Sequence, residues 1–128
     1  MKHIHTDKAP KAVGPYSQAV SHGSMLYCSG QVAIDPESGI LIAGEIEAET
    51  RLVLQNLEAV LNEGGATRAS VVKCTVFVRD MDMYTRINGV YEAFFGVSAP
   101  PARELVEVSR LPKDANVEIS AIAVVVNL

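Results

Sequence analysis

No stretch of this chain is long and apolar enough to span a bilayer. The longest uninterrupted apolar run, Ala121 to Val126, is far shorter than the ~20 residues a membrane helix needs. The amino terminus, MKHIHTDKAP, has no apolar stretch after its basic residue, so neither secretion nor membrane insertion is expected. Cysteine is scarce. Cys28 and Cys74 each stand alone inside an apolar run, MLYCSG and VVKCTVFV, without the CxxC spacing of redox or zinc sites. Such cysteines suit small buried hydrophobes, and a reducing cytoplasm is the expected compartment. Excess positive charge is also missing. The net charge is −4 and the lysines and arginines are scattered, which leaves no footprint for nucleic acid or anionic lipid. No GxGxxG, GxxxxGK[ST] or GxSxG occurs, so nothing points to a nucleotide-phosphate cradle or a nucleophile elbow. His3 and His5 share a face of an extended segment but have no third ligand at metal spacing. No metal and no cofactor are expected, and a disordered or edge terminus accounts for the two histidines.

What the chain does have is apolar content. Its 128 residues suit one domain, residues 1–128, and 48% of them are hydrophobic against 20% charged. That is more apolar than a solitary monomer of this size needs, so part of its surface is expected to meet another subunit. From Tyr16 to Gln31 the pattern predicts two strands around a turn at His22 and Gly23. Ile46, Val53, Leu57, Val60 and Leu61 form an apolar stripe at helical spacing, ended by Gly64 and Gly65. Val72, Cys74, Val76 and Val78 alternate with Lys73 and Thr75, as in a half-buried strand. A second helix, capped by Asp80 or Asp82, turns Tyr84, Ile87, Tyr91, Phe94 and Phe95 inward and stops before Pro100 and Pro101. Strands over Arg103 to Val108 and Val117 to Val126 complete the order. The expectation is an α+β domain, one sheet with two helices on one face. On the last strand Glu118 and Ser120 then share the opposite face with Lys73 and Thr75, which suits a polar-lined subunit interface or a partly solvated sheet.

Arg103 is the strongest candidate for chemistry. It follows two prolines and opens a strand, and its planar fork matches a carboxylate through two parallel hydrogen bonds. By local context alone an ion pair with Glu104, Glu107 or Glu118 is the commoner role for such an arginine, and spacing does not decide between the two. Asn88 interrupts the aromatic stripe of the second helix and needs a partner, in the core or in a ligand pocket. Tyr16 is either part of a turn with Gly14 and Pro15 or a phenol that orients a polar substrate.

Several segments together resemble the Rid family, the reactive-intermediate imine deaminases also called RidA/YjgF. They are AVGPYSQAV, CSGQVAIDPESG, KCTVFVRDMD, INGVYEAFF and PPARELVEVSRLPKDANVEISAIAV, which span nearly the whole chain. The resemblance implies a chorismate-mutase-like subunit with a mixed sheet, a homotrimer with a central barrel, and ligand clefts between subunits. It implies hydrolysis of 2-imino or enamine acids, such as 2-iminobutanoate and 2-iminopropanoate, to 2-keto acids and ammonia without a cofactor. Arg103 falls on the arginine that grips the substrate carboxylate, and Tyr16, Ser29, Gly30 and Asn88 fall on pocket positions. Two departures stand out. Leu105 replaces a cysteine that acts mainly through its backbone. Ser120 replaces the glutamate that positions the attacking water, and a hydroxyl is no base near neutral pH. Glu118 shares that face, but at about two strand rises, roughly 7 Å, along the chain, it is not expected to take the missing carboxylate's place.

Overall fold

The alternation of buried and half-buried residues along Val117–Val124 sets the centre of the structure, a computed structural model that describes residues 1–127. Every second residue of this strand, from Val117 to Ala123, is buried, and the residues between are only partly covered. Six strands line up as β1 (Lys2–Ile4), β2 (Ala19–His22), β3 (Met25–Gln31), β4 (Val71–Val78), β5 (Ala102–Glu107) and β6 (Val117–Val124). Their spatial order is β1-β2-β3-β6-β4-β5, antiparallel except for the parallel β4–β5 pair. Parallel neighbours need a crossover. Helix α2 (Tyr84–Phe95) provides it, while α1 (Ile46–Glu63) connects β3 to β4. Both helices pack on one side of this mixed sheet, around Val53, Leu57, Leu61, Val76, Ile87 and Ile119. The predicted α1 stripe is fully buried. Beyond its end Gly65 adopts φ +83, and a Cβ there would lie 2.8 Å from the Asn127 carbonyl, so this turn admits no other residue without strain.

The structure departs from the sequence pattern in three places. Val72 does not share a face with Cys74: the register slips between Val71 and Lys73, and Val72 is 43% exposed. An extra residue in a strand reverses the alternation locally. Tyr84 does not point into the core either, being 39% exposed at the first position of α2. Asp80 caps a short 3-10 turn ahead of α2, accepting from the Asp82 amide at 2.9 Å. The last strand also ends at Val124, two residues earlier than its apolar run suggests. The amino terminus, by contrast, is an edge strand, with Lys2, His3 and Ile4 paired to β2.

The sheet face away from the helices has no cover among the described residues. It carries Tyr27 (49% exposed), Val106 (43% exposed), and the partly covered Val20, Phe77 and Ile122. Large apolar side chains are thus gathered on one open face.

Candidate functional site

Arg103 sits near the start of β5, beside Cys74 of β4. Register therefore turns its side chain to the helix side of the sheet, where α2 meets it. One guanidinium nitrogen donates to Asn88 Oδ1 at 2.8 Å and another to the Tyr84 hydroxyl at 3.1 Å. The guanidinium carbon lies 4.8 Å from the Tyr91 ring centroid, a cation–π distance. None of its partners is acidic. Glu104 pairs with Lys73 at 2.9 Å, Glu107 accepts from the Met81 amide at 2.8 Å, and Glu118 lies on the opposite face. The structural ion pair that local context allowed is absent, and the fork is held by neutral groups with donors to spare. A cavity of about 430 Å³ opens beside it, lined by Asn88, Tyr91, Pro100 and Pro101 among others. Asn88 thus finds its partner in Arg103. Tyr84 and Tyr91, which the sequence offered only as core, frame the same guanidinium.

Tyr16, Ser29 and Gly30 come together elsewhere, in a cleft of about 560 Å³ that also holds Lys11, Lys113 and Glu118. The β3–β6 register shifts between Cys28 and Gln31, so Ser29 and Gly30 form an irregularity in the ladder, a device that re-aims backbone beside binding sites. Ser29 is fixed there by its hydroxyl, which donates to the Ser17 carbonyl at 2.6 Å, and by its amide, which donates to the Gln18 carbonyl at 2.9 Å. Gly30 lies close against Glu118: a Cβ on it would come within 2.8 Å of the carboxylate, which would have to shift. Lys113 enters the cleft from a turn in which it and Asp114 both hold φ 57, a left-handed conformation that non-glycine residues adopt at a cost.

Ser120 lies in a third place. With Tyr27, Lys73 and Thr75 it lines a recess of about 210 Å³ on the open sheet face, opposite Thr75 in the β4–β6 ladder. Leu105 pairs with Val76 and packs its side chain against the core. Because β5 is the edge of the sheet, half of the backbone groups there have no strand partner among the described residues. Within the chain, then, the candidates form three separate groups. Arg103 and Asn88 lie on the helix side, whereas Glu118 and Ser120 lie on the other. From β3 to β5 the distance across the sheet is three strand spacings, roughly 14 Å.

The remaining features are structural. Burial pushes the Cys28 thiol up to about 12 and the Cys74 thiol up to about 11, so neither is a ready nucleophile. Tyr91's buried hydroxyl lies against Cys74 without a hydrogen bond of ordinary geometry, and the same burial raises it. His3 bonds Ser17 while His5 bonds Asp7. Among the described residues, no three His, Cys, Asp or Glu side chains gather as metal ligands, and no helix is long and apolar enough to cross a membrane. A cavity of about 660 Å³ between α1 and α2 is rimmed by the Arg86–Glu47 and Arg68–Glu58 ion pairs and holds none of the candidates.

Residues 6–125 match the family model described as Endoribonuclease L-PSP. The chain belongs to the Rid family. It is 46% identical over 125 residues to the 2-iminobutanoate/2-iminopropanoate deaminase of Salmonella typhimurium, covering 96% of this chain and 97% of that protein. A crystal structure from Thermotoga maritima superposes with a TM-score of 0.94 at 52% identity, covering 97% of both chains. The E. coli protein TdcF, solved with bound serine, superposes with a TM-score of 0.92 at 41% identity, covering 97% of this chain and 98% of that one. The mixed sheet with two helices on one face is thus the Rid fold. The family includes an imine deaminase by name, and the resemblance read from PPARELVEVSRLPKDANVEISAIAV agrees with it.

Proposed function

We propose that this Rid-family protein hydrolyses small 2-imino acids, such as 2-iminobutanoate and 2-iminopropanoate, to 2-keto acids and ammonia, with Arg103 holding the substrate carboxylate. The observation that carries this reading is the half-buried Arg103 guanidinium, aimed by Asn88 and Tyr84 and neutralised by no acid. A positive fork so prepared favours a planar anion. The identity to a named deaminase and the serine, an α-carboxylate, held by TdcF support it. Leu105, on the same edge strand, serves through its backbone. Once the carboxylate is anchored, the protonated imine is already electrophilic, so orientation supplies much of the acceleration.

A complete site needs a second copy of the chain. Arg103 faces the helix side at one edge of the sheet, while Tyr16, Ser29 and Gly30 gather beyond β6, so one small acid cannot reach both within a subunit. Packing the open sheet faces of three copies into a central barrel buries Tyr27, Phe77 and Ile122 and brings Arg103 of one subunit to the cleft of the next. Light scattering at micromolar concentration is expected to give three times the chain mass. A monomer mass there rules out the shared site.

Ser120 favours a second reading, a trimer that binds small carboxylates and catalyses weakly, because a hydroxyl replaces the water-positioning glutamate of the deaminase pattern. One experiment separates the two. With 2-iminobutanoate generated in situ by a threonine dehydratase, the protein is expected to speed its decay. Intact binding of 2-oxobutanoate without any acceleration selects the binding module.

A further inference from the structure

We propose that the groove between α1 and α2 binds a small monocarboxylate with an apolar chain or ring, its carboxylate held by Arg51. The two helices run side by side in the same direction, because contacts between them join their matching ends. At one end Arg86 of α2 donates from Nε to Glu47 Oε2 of α1 at 2.8 Å. At the other, Arg68 donates twice to Glu58 of α1, at 2.7 and 2.8 Å, and once to the Phe94 carbonyl of α2 at 3.1 Å. Its guanidinium also covers the Phe94 ring, 4.0 Å from the centroid. From Glu47 to Glu58 the groove runs roughly 16 Å along α1. Its volume, about 660 Å³, lies in the range of small-molecule sites. Leu54 and Val90, both buried, form an apolar floor. The open sheet face is on the far side of the molecule, so assembly through it leaves this groove accessible.

Charge and shape both point to an anion with an apolar body. The groove carries three arginines, Arg51, Arg68 and Arg86, against two glutamates, a positive balance on a chain whose net charge is −4. Both glutamates are committed, Glu47 to Arg86 and Glu58 to Arg68. Arg51 is left with no ion pair and no side-chain hydrogen bond among the described residues. Since the helix ends match, it comes level with Gly89 and Val90, part-way along the groove. An exposed arginine is ordinary by itself, but this one stands beside an apolar trough that a glycine holds open. Gly89 lies inside α2 in ordinary helical backbone, where glycine weakens a helix relative to alanine. A Cβ there would meet nothing within 4 Å, so neither conformation nor close packing calls for glycine. Its missing side chain leaves the groove open beside Arg51. The planar fork of Arg51 suits a carboxylate, Gln55 one turn on supplies a further donor, and the apolar body lies along Leu54, Val90 and Ala93.

Titration calorimetry with octanoate and 4-phenylbutanoate, an alkyl and an aryl carboxylate, compares wild type with Arg51→Ala, Gly89→Leu and Arg103→Ala. Saturable binding of at least one of the two acids to wild type is expected. Replacing that acid by its neutral amide, or Arg51 by Ala, should weaken binding by roughly 10–100-fold, the scale of hydrogen bonds to a charged group. Gly89→Leu fills the trough and should abolish binding. Its melting temperature should stay at or above the wild-type value, since leucine is the better helix former. Both groove variants should bind 2-oxobutanoate as wild type does, and Arg103→Ala should still bind the apolar acid. Loss of that binding in Arg103→Ala places the acid at Arg103 and overturns the proposal, whatever becomes of the deaminase reading. Unchanged affinity in Arg51→Ala or in Gly89→Leu overturns it too, as does wild type that binds neither acid. If light scattering instead shows association beyond the trimer that Gly89→Leu abolishes, the groove is a contact between copies and the proposal falls.

Discussion

Arg103→Ala should reduce 2-oxobutanoate affinity by roughly 10²–10⁴-fold, the equivalent of losing two charge-assisted hydrogen bonds at about 1.5–3 kcal/mol each. The guanidinium spends two donors on Asn88 and Tyr84, and both partners serve to aim the rest. Neither partner is acidic, so removal leaves no buried anion behind, and the fold should hold within about 1 kcal/mol, as for most substitutions outside the core. Arg103→Lys should fail nearly as badly. An ammonium cannot make the Asn88 and Tyr84 contacts and still present two parallel donors. Titration calorimetry checks the affinity and a thermal melt the fold. Unchanged affinity in Arg103→Ala removes Arg103 from the ligand site altogether.

The largest effect on stability is expected at Glu49, a carboxylate with no exposed surface in the first turn of α1. It accepts from the Asn116 amide at 2.8 Å and from Asn116 Nδ2 at 2.9 Å. Asn116 immediately precedes β6, and its carbonyl accepts from the Arg79 amide at the end of β4. One side chain therefore ties a helix to the strand that carries Glu118 and Ser120. Glu49→Ala leaves two donors unmet in the interior and should cost about 2–4 kcal/mol. At roughly 3–5 °C per kcal/mol for a chain of this length, the melting temperature should fall by about 10 °C, measured at fixed protein concentration because assembly contributes. Glu49→Gln keeps the shape and one acceptor, so about half that loss is expected. A melt unchanged in Glu49→Ala means that water or repacking meets Asn116 instead.

Much of this architecture is legible in residue patterns because burial imposes a period. The α1 stripe and the buried alternation of β6 each follow from one face packing against one neighbour. The failures have equally local causes. At Val72 a single extra residue shifts the register, and at Tyr84 the helix begins so near the sheet edge that its first turn meets Arg103 in place of the core. The Glu49–Asn116 tie could not be read from residue patterns, since no spacing rule links two residues 67 positions apart.

The amino-acid sequence by itself determined the fold class, the two buried cysteines, Arg103 as the foremost candidate and, through its motifs, the Rid family, because periodicity and motif chemistry are local properties. Only the tertiary structure decided that Arg103 has no acidic partner, that it and Glu118 lie on opposite sides of one sheet, and that Glu118 shares a cleft with Tyr16, Ser29 and Gly30. These facts depend on strand order, on register and on a bulge between β3 and β6, where packing across distant segments sets which side chains meet.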